Sequence, residues 1–162
     1  MTTEEIKARL AALLAQNIND IEAKADTFVD RHHMPALNRG SMITTRAHAR
    51  AALADFVLAA SKAKDENFEK LNDLSTELSE AEKDETEADA NVQKTLADPN
   101  LKAEALISAK KEHADALRFL ADAKYAVSTE IARLGELLQL LDTLQRAAIV
   151  SIAKAKETCC WF

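Results

Sequence analysis

Glycine and proline are scarce in this chain, two of each in 162 residues, so the backbone has few places where a helix is obliged to stop. Aromatic residues make up only 4%. A core must therefore be built from Ala, Leu, Ile and Val, which suit close helix packing better than an aromatic-walled ligand pocket. The two cysteines, Cys159 and Cys160, are adjacent and cannot tie distant parts of a fold together. No apolar run nears the ~20 residues that a membrane span needs; the longest, 147–153, contains Ser151. The opening Met1-Thr2-Thr3-Glu4-Glu5 lacks the basic start of a signal peptide, and a cytoplasmic location is the expectation.

What is present is 48% hydrophobic and 30% charged residue, the composition of an all-α chain of single-domain size. The net charge of −6 is unevenly placed. Residues 1–64 hold nine Lys/Arg against seven Asp/Glu, residues 65–98 three against twelve, and residues 99–162 nine against eight. A basic face able to grip phosphates is absent, so direct nucleic-acid binding is not expected.

The strongest pattern is a pair of heptad series. Leu71, Leu74, Leu78, Ala81, Ala88 and Val92 fall in alternating steps of three and four, interrupted once by Glu85. Leu106, Ala109, Ala116, Leu120, Ala123 and Val127 answer them, interrupted once by His113. Folding the chain at Asp98-Pro99-Asn100 opposes the series layer by layer, Val92 to Leu106 through Leu71 to Val127, with Glu85 facing His113. The expectation is an antiparallel helical hairpin, with Asp98 and Pro99 as cap and first residue of the returning helix.

Before the hairpin, Ile6, Leu10, Leu13, Leu14, Ile18, Ile21, Ala25 and Phe28 predict one amphipathic helix over about 3–31, with Glu4 and Glu5 in its first turn. A loop is expected over 31–42, where Pro35 removes a donor and Gly40 permits a left-handed turn. A second helix then spans about 44–96, started by Thr44 or Thr45, with its weakest point at 61–67. The third spans about 99–156. Past Ile131 its apolar residues cover more than one face, among them Leu134, Leu137, Leu138, Leu141 and Leu144, and demand two partners. The predicted architecture is a three-helix bundle base, 1–64 with 131–158, and a two-helix coiled-coil arm over 68–130. Gly135 offers either a close approach of a neighbouring helix or a mild kink.

Chemistry-bearing constellations are few. Glu85 and His113 form either a register-fixing polar layer or two side chains reaching water from a thin seam. The acidic series, Glu80, Asp84, Glu87 and Asp89 within it, reads as a solvated face or as a surface for a basic protein partner, and in a third reading as an inhibitor that occupies a nucleic-acid-binding surface. His32, His33 and His48 lack the spacing and companions of a metal site, and Asp30-x-x-His33 is only half of a di-iron motif. Gly40 and Gly135 stand too far apart for a phosphate loop. No Ser or Cys stands at readable spacing from a base. Catalytic, cofactor-binding and metal residues are therefore expected to be absent.

Cys159-Cys160-Trp161-Phe162 resembles a C-a-a-X box, which would lipidate Cys159 and anchor the chain; otherwise Trp161 and Phe162 dock on protein. The expected function is a non-catalytic structural or adaptor role through protein–protein contacts, as a subunit of a larger assembly or a homo-oligomer.

Overall fold

The computed structural model describes residues 2–31, 39–65 and 69–157. They form five helices: α1, Thr3–Leu14; α2, Ile18–Arg31; α3, Arg39–Asp65; α4, Glu69–Leu96; and α5, Ala103–Glu157. No strand occurs among the described residues, and the all-α class holds. None of these helices is long and apolar enough to cross a membrane.

Helix α1 begins with a reciprocal cap. The Thr2 hydroxyl accepts from the Glu5 N–H (3.2 Å), and the Glu5 carboxylate accepts from the Thr2 N–H (2.7 Å). The single helix expected over 3–31 is in fact two. The Asn17 side chain accepts from the Asp20 N–H (3.0 Å) and Asp20 accepts from the Asn17 N–H (2.8 Å), a second reciprocal cap that starts α2 after the break at 15–17. Helix α3 begins at Arg39, before the expected Thr44 or Thr45, so Gly40 lies inside a helix and not in a turn. His32, His33 and Pro35 lie outside the described residues, as does the chain at 66–68 on which the continuity of the expected 44–96 helix depends.

The hairpin tip also departs from expectation. Asp98-Pro99 does not cap the returning helix: α5 starts at Ala103, with the Leu106 N–H donating to the Lys102 carbonyl (3.2 Å). Asp98 instead holds a turn, its carboxylate accepting from the Asn100 N–H (2.8 Å).

By contacts the chain divides into two compact units, residues 1–67 with 134–162 and residues 68–133. In the first, α1, α2, α3 and the second part of α5 share a core of Ile6, Leu10, Ile21, Phe56, Leu134, Leu138, Leu141 and Ile152, all buried. Polar ties at its edge set the packing of α5: Arg9 to Asp142 (3.1 Å), Gln145 to Gln16, and Lys156 to Asp26 (2.7 Å). Gly135 is not a point of close approach, because a Cβ built there meets nothing within 4 Å among the described residues.

The second unit is the antiparallel hairpin of α4 with the first part of α5. Glu85 meets His113, and earlier on α4 Lys70 meets Glu130, later on α5, which fixes the antiparallel sense. Every position of the two heptad series is buried or half-buried, Leu71, Val92 and Ala109 fully so. Its core is thin, as two helices can shield only one stripe each.

Candidate functional site

The stripe that α5 buries is longer than its apolar residues suggest. From Ala109 it runs through His113, Ala116, Leu120, Ala123, Val127, Glu130, Leu134, Leu138, Leu141, Gln145, Ala148, Ile152 and Ala155, all buried or half-buried. The steps alternate four and three except for two consecutive fours about Leu134, a local change of phase where one unit gives way to the other. Three members are polar, and each has a partner. The His113 Nε2 lies 3.0 Å from the Glu85 carboxylate, both half-buried. Glu130, 3% exposed, accepts three hydrogen bonds from the Arg133 guanidinium, the shortest 2.7 Å, and meets Lys70 at 3.1 Å. The Arg133 hydrogen bonds, with help from Lys70, hold its carboxyl below the ordinary carboxylate value despite the opposing effect of burial. Gln145 donates to Gln16. Sequence reading found the first pair and missed the other two, although both residues fall on the continued spacing.

Beside the seam of the hairpin lies a groove of about 580 Å³. Its walls come from the residues that immediately precede seam positions: Glu77, Glu80, Asp84 and Glu87 on α4, and Glu112, Asp115 and Phe119 on α5. In an antiparallel pair these two flanks turn to the same side, so both acidic rows look across one trough. The floor is low because the seam residues there are Ala81, Ala88 and Ala116. Phe119, 67% exposed, stands at one wall.

No lysine or arginine lines this trough. Glu77, Glu80, Asp84 and Asp115 make no ion pair with a described residue; Glu87 meets Lys83 at a loose 3.8 Å and Glu112 accepts from the Ser108 hydroxyl (3.3 Å). The opposite flank differs. On it lie Glu82 and Asp89 from α4 and Lys110 and Lys124 from α5, together with Ile107 and Leu117, 67% and 46% exposed. Acidity is thus sorted by face as well as by helix.

Of the sequence candidates, the structure brings Glu80, Asp84 and Glu87 together on the trough and places Asp89 on the other flank. Cys159, Trp161 and Phe162 lie outside the described residues. His48 is exposed, and among the described residues no three His, Cys, Asp or Glu side chains are grouped to hold a metal ion. A second hollow, about 640 Å³, lies in the other unit between the α1–α2 connection and α3. Ile18, Phe56 and Val57 give it apolar walls, with Lys64 as the sole charged group among its lining residues.

No protein-family model, curated protein or solved structure matches the chain.

Proposed function

We propose that this protein is a non-catalytic helical adaptor or assembly subunit that works in the cytoplasm through protein–protein contacts. The observation that carries this reading is the apolar exposure of the hairpin. Ile107, Leu117, Phe119 and Tyr125 are 67%, 46%, 67% and 75% exposed on α5, and Leu96 and Leu101, 48% and 45% exposed, flank the tip. Side chains of that size left in water along a thin, otherwise charged hairpin are the usual material of a contact surface. The half-buried seam adds to this, since a third helix laid on it would bury apolar surface that two helices leave wet.

The test is the molar mass of the full chain by light scattering, together with recovery of neighbours from the source cells after cross-linking. A defined oligomer or a stoichiometric neighbour is expected, held at moderate salt and weakened when Ile107 and Tyr125 become serine or when Trp161 and Phe162 are removed. A monomer that retains no neighbour overturns the reading.

A further inference from the structure

We infer that the acidic trough of the hairpin docks a basic amphipathic helix of a partner protein, one with Lys/Arg rows three and four residues apart beside an apolar line. The inference deepens the adaptor reading and rests on it. Three features of the trough select that occupant.

The first is shape. Alanines at Ala81, Ala88 and Ala116 lower the floor between two helices, so a third helix can approach the seam closely, and Glu77 to Asn91 gives the trough a length of about 20 Å at ~1.5 Å per residue. That accommodates three to four turns.

The second is charge. Glu77, Glu80, Asp84 and Glu87 recur in steps of three and four, the same repeat with which a partner helix presents one face, and Glu112 and Asp115 stand opposite them. Five of these six carboxylates have no cation from the described residues, and neighbours such as Glu80 and Asp84 repel along their own helix. A row of cations from outside relieves that repulsion and pairs with both walls, whereas a nucleic-acid backbone is repelled by the same face.

The third is the aromatic anchor. Phe119 sits among carboxylates with two thirds of its surface in water, placed to receive the apolar line of the incoming helix.

The probe is a labelled, helix-forming Leu/Lys peptide of about 18 residues with that repeat, titrated into the full-length protein and read by fluorescence anisotropy, with a Leu/Glu peptide as control. Glu80, Glu82, Asp84 and Phe119 are exposed and Asp89 is half-buried. Glu80→Gln with Asp84→Asn is expected to weaken binding about tenfold, and Phe119→Ser by a similar factor. Glu82→Gln with Asp89→Asn removes the same charge from the opposite flank and is expected to stay within about twofold. Equal losses in the two charge variants, unchanged affinity in Phe119→Ser, or no binding by the native chain overturns the proposal. If the peptide fails while the full chain still forms its oligomer or keeps its neighbour, the adaptor reading stands on another face; if both fail, both fall.

Discussion

Glu130 shows what one residue contributes when burial and hydrogen bonding oppose each other. Burial alone would raise its pKa, yet the fork of Arg133 and the ammonium of Lys70 lower it from 4.5. The unfolded chain therefore takes up this proton more readily than the folded one. The stabilisation is fully present above about pH 4.5 and is lost as the pH falls below it toward the folded value. Glu130→Gln is expected to cost about 1–2 kcal/mol at neutral pH, and the gap from the native protein should narrow below pH 4.5. Urea denaturation across a pH series measures both; a gap that stays constant into acid would show that the charge is irrelevant. Glu85 and His113 are half-buried and meet at 3.0 Å, so that any sliding of the hairpin breaks their contact. Replacing both by leucine should raise the urea midpoint while widening the distance distribution between spin labels at Thr76 and Ala121, because an apolar layer tolerates shifted registers that a polar one penalises.

At the scale of elements, the heptads were legible because a strict three-four spacing admits one partner face, and Glu85 opposite His113 is where the two series put it. The break at 15–17 was hidden for a physical reason. Leu14, Ile18 and Ile21 keep helical spacing straight across it, so the periodicity masks the Asn17-x-x-Asp20 cap, and only the 48% exposure of Ile18 betrays the change of direction. Pro99 misled because its fixed φ serves a turn as well as a first helical residue. Asn17→Ala should destabilise by about 1 kcal/mol by leaving an N–H of the first turn without its acceptor. Gly135 carries the opposite expectation. Since a methyl group there meets nothing among the described residues and the backbone is already helical, Gly135→Ala should stabilise by about 0.5–1 kcal/mol in chemical denaturation. A loss of stability would mean that the position needs its freedom.

Across the whole molecule, the sorting of charge by face could not be read from the chain in order. It exists only once two helices lie antiparallel and the residues before each seam position, Glu80 on one and Asp115 on the other, turn to the same side. The groove was illegible for the same reason, since its floor is made of small seam residues that look like ordinary core in sequence. The two units also differ in what they bury. Residues 1–67 with 134–162 enclose Leu10, Ile21, Leu141 and Ile152 without exposure, whereas among the described apolar residues of 68–133 only Leu71, Val92 and Ala109 are buried. At roughly 1.5–3 kcal/mol for each large apolar side chain removed from water, the hairpin should open at lower free energy than the other unit. Native-state hydrogen exchange tests this within a single element, because α5 runs without interruption from Ala103 to Glu157. Amides over 103–133 and in α4 should exchange through smaller openings than those over 134–157 and in α1, with the change near Leu134, where the buried stripe shifts phase. Uniform protection along α5 would mean that its two parts unfold as one, and that a thin seam is no guide to local stability in this protein.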